Sequence, residues 1–397
     1  AVMLAVQLAA ALGFYAVMAH VVAHLRDGLG LAAGTIALVL GVRVAVQYAL
    51  YLPAGPAADL LGAARAGTLA CLLRAVGFGA LGVVDGRAGL LAAAVLLGMG
   101  GALFHPATRS LMAGLHPERR ARGFGAVMVA GQIAAVAGPP AGLVLLAPGG
   151  LGFLDGGFWL LSGAAAAVWT VAAVLFVPLH RPRRTSRRAS AQGLGRSVLA
   201  VLRDRAYLRF ILLAAPTTLL PTQTMTVVPL KGFEADVRTL YFCVCAAVAA
   251  AVQPWCAAGG RAARRWVLQA SLASSGAGYL LLIPLNDQGV LSVVALTAVA
   301  ALHGVSYGLL EPAVFQNVTR YAPPSQVGAY YGVMAFVSGI VAFAGGLVVG
   351  RLFDAGPAGV TTALAGLAVV ALTAAAGPGL LRAAPRSTVA TEAGAPR

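Results

Sequence analysis

Gly55-Pro-Ala-Ala-Asp59-Leu-Leu-Gly62-Ala-Ala-Arg65 stands between two long apolar runs, 33–54 and 67–84. Two runs of that length joined by so short a polar piece read as a membrane hairpin, with Asp59 at the membrane surface. There a carboxylate can face a helix N-terminus or an arginine without full desolvation. Gly55, Asp59, Gly62 and Arg65 are therefore candidates for a conformational latch. The reading depends on the flanking runs being spans, and composition supports it. Of 397 residues, 60% are hydrophobic and 10% charged, against roughly 25% charged in soluble domains. Mean hydropathy is +0.86.

Outward from the hairpin, apolar runs fall at about 2–25, 33–54, 67–84, 89–114, 124–147, 157–178, 207–230, 239–258, 266–285, 290–319, 327–350 and 358–381, each long enough for one spanning helix. The fold class expected is all-α: a polytopic membrane protein of twelve helices. With the first loop outside, most of the 28 basic residues lie on the inner side, including the run between Arg181 and Arg209. Both termini are then cytoplasmic. The basic segment 179–206 divides the chain into bundles 1–178 and 207–382, with a tail at 383–397. This segment reads as a linker lying on anionic lipid. The formal charge of +16 sits in loops without interleaved aromatics, so it marks topology and not nucleic-acid binding. The four cysteines fall within or at the end of apolar helices with no metal-ligand partner and read as buried thiols. A single lysine among abundant arginine, alanine and glycine points to a GC-rich bacterial genome and hence to a bacterial inner membrane.

The halves share a design. Phe104-His105-Pro106-Ala107 matches Leu310-Glu311-Pro312-Ala313, and the same offset carries Pro117, Phe124 and Val127 onto Pro323, Tyr330 and Val333. Parallel repeats are a mark of secondary transporters. With the hairpin and the charge pattern, the chain resembles the major facilitator superfamily. The nearer resemblance is to bacterial twelve-helix drug:proton antiporters of the MdtH-like branch, through Leu12-Gly13-Phe14, Gly41-Val42-Arg43 with Gln47, and Leu73-Arg74-Ala75-Val76-Gly77-Phe78. Gly138-Pro139-Pro140-Ala141-Gly142 resembles the antiporter motif of the fifth helix, which implies close helix contact and a bend at a moving element. The resemblance has gaps. Val6 and Gln7 stand where many relatives carry an acidic residue, and the hairpin lacks the further basic residues usual there.

An ionisable group at the bilayer centre costs at least about 2.5–3.5 kcal/mol, so each one needs a reason. Glu311 is the one acidic residue expected inside a helix. His303, Tyr307 and Glu311, spaced i, i+4, i+8, form a polar stripe suited to binding a proton or a cationic group; the alternative is a structural carboxylate paired with Arg109 or Arg320. Arg43, Gln47 and Tyr51 make a second stripe, in which Arg43 can attract an anionic or carbonyl-bearing solute. Arg74 reads as structural, because the third helix of such bundles usually lies outside the cavity. His20 and His24, one turn apart, are candidate proton sites in place of the missing carboxylate. His105 and Arg109 are grouped with Asp59 in the gate. In the seventh helix Pro216 and Pro221 predict a broken, cavity-facing element presenting Thr222, Gln223 and Thr226, with Tyr15 among the adaptable walls.

No phosphate loop, prenyltransferase motif or nucleophile elbow is present, so neither an enzyme nor an ATP-driven pump is expected, nor any cofactor or metal. The partners expected are a small-molecule substrate, protons and membrane lipid, acting on a monomer. Two functions remain open: proton-coupled export of small amphipathic compounds, drug or natural product, and import or facilitated passage of a small metabolite such as an organic anion.

Overall fold

Apolar side chains on every face and backbone groups that must bond internally leave helices as the way to span a bilayer. The computed structural model describes residues 2–113, 117–147, 156–179, 198–285, 289–323 and 326–377, and every spanning element in it is helical. The first half holds α1 (Val2–Ala23, continued by the wider turn His24–Gly28), α2 (Ala33–Leu61), α3 (Ala63–Leu81), α4 (Arg87–Ala113), α5 (Pro117–Leu146) and α6 (Phe158–Phe176). The second holds α7 (Arg205–Ala214), α8 (Pro216–Leu230), α9 (Ala235–Ala257), α10 (Arg265–Leu282), α11 (Val290–Tyr321), α12 (Val327–Asp354) and α13 (Pro357–Ala376). Counting α7 with α8 as one, 11 helices among the described residues are long and apolar enough to cross a membrane. The remaining one, α10, is 18 residues long and packs on α11 and α13.

Two expectations need correction. Residues 55–61 are not loop: α2 runs on to Leu61, and the turn is confined to Gly62 at φ +85°. Ala58, Ala66 and Ala107 pack together there, which ties the last turns of α2 to α3 and α4. In the seventh span the break falls at Ala215, where Ala215 N bonds Ile211 O at 2.7 Å, and Pro221 lies inside α8 without ending it. Pro216 opens α8, a position where its missing N–H costs nothing.

Each half has its own core. In the first, Phe78 and Phe104 pack on Trp169, and Phe176 on Phe104; in the second, Tyr207, Phe210, Tyr241 and Tyr279 are fully buried. The repeat is visible in the packing. Gly98 of α4 lies against Arg43 O and Val46 of α2, and Gly304 of α11 lies against Cys245 O and Val248 of α9. These two glycines stand in the same relation as Phe104 and Leu310. The short helix 198–203 buries Val201 in the second half's core, and Asp204 caps α7 by accepting from Tyr207 N at 3.0 Å.

The halves meet chiefly through α2 on α12, α5 on α9 and α1 on α8. One end of this seam is closed by polar contacts. Arg26 Nη1 donates to Pro229 O and Leu230 O, at 2.9 and 3.0 Å, on the C-terminus of α8. Asp354, at the C-terminus of α12, accepts from Ala33 N at 2.7 Å and Gly34 N at 2.9 Å at the start of α2. Each charge faces the helix end whose dipole it complements. Beside them Lys231 donates from Nζ to Leu282 O and Ile283 O, both at 3.1 Å. Burial pulls the Lys231 ammonium down to about 8.

Candidate functional site

Away from that closed end, the space between the halves opens into three adjoining chambers. Met18 and Met225 wall the first two, Tyr15 the first and third, and Phe14, Arg43 and Thr222 the second and third. Unbranched methionines supply adaptable apolar surface there. At the opposite end from the latches, His105 and Arg109 of α4 and Glu311 of α11 are exposed.

The third chamber is basic. Arg43 Nη1 donates to Gln47 Oε1 at 3.4 Å, and Gln47 Nε2 to Tyr51 OH at 2.8 Å, so the i, i+4 stripe is a continuous hydrogen-bonded chain. Arg74, read from the sequence as structural, faces the same chamber. Its guanidinium carbon lies 5.2 Å from the Phe14 ring centroid and 4.8 Å from that of Trp169, and Arg43 stands 5.7 Å from the same Phe14 ring. Gly101 makes the approach possible: a Cβ there would stand 2.5 Å from Gln47 Oε1 and 2.6 Å from Arg74 Nη2. Arg74 is 6% exposed and its Nε has no hydrogen-bond partner, nor has that of Arg43. Neither arginine is ion-paired among the described residues. Cation–π contact with two rings offsets part of the cost of burial. Gln7 and His105 line this chamber too.

The first chamber is acidic. Glu311 lines it with Gln132, Gln253, Tyr241 and Tyr307. Gln132 Nε2 donates to Gln253 Oε1 at 2.6 Å across the α5–α9 contact, while Glu311 has no ion pair among the described residues, so pairing with Arg109 or Arg320 is not found. Tyr307 OH contacts Thr224 Oγ1 of α8. The second chamber takes Thr222, Gln223 and Thr226 from α8. Thr222 donates back to Thr218 O and Leu219 O, both at 2.9 Å, whereas the buried Gln223 Oε1 is unpartnered.

The remaining predicted residues are dispersed. His303 is fully buried in the second half's core, its Nδ1 2.6 Å from Tyr241 OH, and lines none of the three chambers. His20 Nε2 contacts Pro139 O at 2.9 Å, and His24 stacks on Phe158 with ring centroids 3.9 Å apart. Both rings are thus occupied by packing partners. Gly138 and Gly142 seat α5 on α1, since a Cβ at Gly138 would stand 2.6 Å from Tyr15 Cβ and one at Gly142 2.7 Å from Ala16 O. Gly62 and the exposed Arg65 stand at the α2–α3 turn; Gly55 lies within α2, and the Asp59 side chain lies outside the described residues. Among the described residues no three His, Cys, Asp or Glu side chains gather as a metal site.

The sequence passes over Gln132 and Gln253 and reads Arg74 as structural. For Arg74 a signal existed: a guanidinium in mid-span is expensive wherever it lies, and placing it outside the cavity leaves that cost unexplained.

Comparison with known proteins places this geometry. An uncharacterized MFS-type transporter of Mycobacterium tuberculosis H37Rv is 30% identical over 359 residues, covering 87% of this chain and 83% of that one. The multidrug resistance protein MdtH of Cronobacter sakazakii is 32% identical over 238 residues, 58% of this chain and 56% of its own length. Crystal structures of a peptide transporter, POT, with sulfate and of the nucleoside transporter NupG superpose with TM-scores of 0.73 and 0.72. They are 18% and 13% identical, cover 94% of this chain in each case, and are themselves covered to 92% and 97%. At such identities they speak for the fold. The Major Facilitator Superfamily profile matches residues 3–346, and with two helical halves around one central cavity the chain belongs to that superfamily.

Proposed function

We propose that the protein is a secondary-active, alternating-access transporter of a small organic solute bearing an anionic group, such as a metabolite carboxylate. The observation that carries this reading is the pair Arg43 and Arg74, both against Phe14 in a chamber with no carboxylate among its lining residues. Buried guanidinium groups without a protein counter-ion are costly. A bound carboxylate or phosphate would offset that cost through forked, charge-assisted hydrogen bonds. The cavity needs a single chain, so a monomer suffices. Closure at the Arg26 and Asp354 latches, with Glu311 exposed at the other end, is one of the two states that alternating access requires. With both termini cytoplasmic, that state opens inward. Glu311 is the residue suited to couple transport to protons, and Gly55, Asp59, Gly62 and Arg65 form the latch of the opposite state.

The test is uptake of a panel of carboxylates into proteoliposomes by wild type, Arg43→Gln and Arg74→Gln. Hydrogen bonds to charged groups contribute about 1.5–3 kcal/mol, so each variant should lose roughly 10- to 100-fold in apparent affinity. Unchanged carboxylate uptake in both variants would sink the proposal. A second reading, export of amphipathic drugs, is favoured by the methionine and aromatic walls and by similarity to MdtH. It predicts that lipophilic cations are carried and that both arginine variants carry them as well as wild type.

A further inference from the structure

The basic chamber and the acidic chamber adjoin in one cavity, and their charges are segregated. Arg43 and Arg74 line one and Glu311 the other, with Tyr15 common to both. Arg74 is nine-tenths buried with an unpartnered Nε. Glu311 has no ion pair among the described residues although Gln132 and Gln253 satisfy each other beside it. Were the charges there only to hold the fold, arginine and glutamate would be expected to face each other. They instead line separate chambers, the arginines on first-half helices and the glutamate on a second-half helix, so the cavity carries a field directed from one half to the other. A monoanion neutralises the arginines and leaves Glu311 unpaired; a monocation does the reverse. A solute with an anionic group at one end, a cationic group at the other and an apolar body between satisfies all three.

We infer that the substrate is amphoteric: a zwitterion with separated charges, its acid held by Arg43 and Arg74 and its ammonium by Glu311. This rests on the anion-transport reading above and narrows its substrate class. The alternative role for Glu311, carrying a proton alone, requires no cationic group on the solute.

The purified full chain in nanodiscs should be titrated with ω-amino carboxylates of increasing length, such as 8-aminooctanoate, each against the matched carboxylate and amine, octanoate and octylamine. Wild type should bind at least one amino carboxylate ten times more tightly than its carboxylate, or better. In Glu311→Gln the ratio of the two affinities should fall to about one, and Glu311→Asp should restore part of it. Arg74→Gln should weaken both ligands. A wild-type ratio near one at every length overturns the inference and leaves the anion reading standing, provided Arg74→Gln still weakens the carboxylates. Carboxylate binding that Arg74→Gln does not alter, or no binding across the series, overturns both. Because the wild-type ratio decides first, a variant that fails to fold does not protect the proposal.

Discussion

Arg74 lines the cavity and His303 lies in the core, the reverse of the placement that sequence assigns them, and the reason is angular. At 3.6 residues per turn, eight residues advance about 80° beyond two full turns, so His303 does not share the face that turns Glu311 to the chamber. It enters the core, where Tyr241 OH stands 2.6 Å from Nδ1. Tyr241→Phe would leave that buried nitrogen unsatisfied at a cost of about 1–3 kcal/mol. Thermal unfolding in detergent should register the loss, with substrate affinity little changed, because Tyr241 also keeps its ring in the chamber wall. Glu311 was legible as the lone mid-helix acid, and Arg43 with Gln47 and Tyr51 as one chain. Arg74 was not, because residue spacing fixes a face only relative to its own helix, and which face meets the cavity is set by α2 and α4 through Gly101.

At the scale of elements, the helices were legible almost to their ends, and the errors cluster where backbone polarity and packing compete. Gly-Pro-Ala-Ala at 55–58 has the composition of a loop, yet alanine and leucine are strong helix formers, and Ala58 gains a buried seat against Ala66 and Ala107. The antiparallel pair α2 and α12 is the largest seam between the halves, and Asp354 holds one end of it. It caps a helix belonging to the other half, a bond between distant segments that local sequence cannot reveal. Asp354→Ala removes both acceptors for Ala33 N and Gly34 N. Losing a cap costs typically about 1 kcal/mol and up to about 2, so the closed end should open roughly 5- to 30-fold more often. Spin labels flanking the seam at that end should report the longer distance; an unchanged distribution would mean that the carboxylate is not a latch.

For the whole molecule, the repeat that relates Phe104 to Leu310 made two equivalent halves legible, and the matching seats of Gly98 and Gly304 express it in three dimensions. The repeat also sets His105 of the first half against Glu311 of the second; what it could not disclose is that Arg43 and Arg74 line the same cavity as Glu311 and give it its polarity. Membrane orientation was argued from arginine distribution alone, and one feature of the closed end makes it measurable without altering the sequence. Lys231 is the single lysine of the chain, one residue beyond the carbonyls that Arg26 grips, with its ammonium at about 8 instead of the ordinary 10.5. Above about pH 8 its amine is mostly neutral and nucleophilic, so a membrane-impermeant acylating reagent added to intact cells should modify this lysine with a half-maximal rate near that pH. Modification only in inside-out vesicles would reverse the assigned orientation. If Arg26→Ala quickens the reaction, the wild-type protein already carries a chemical clock for the opening of its own gate.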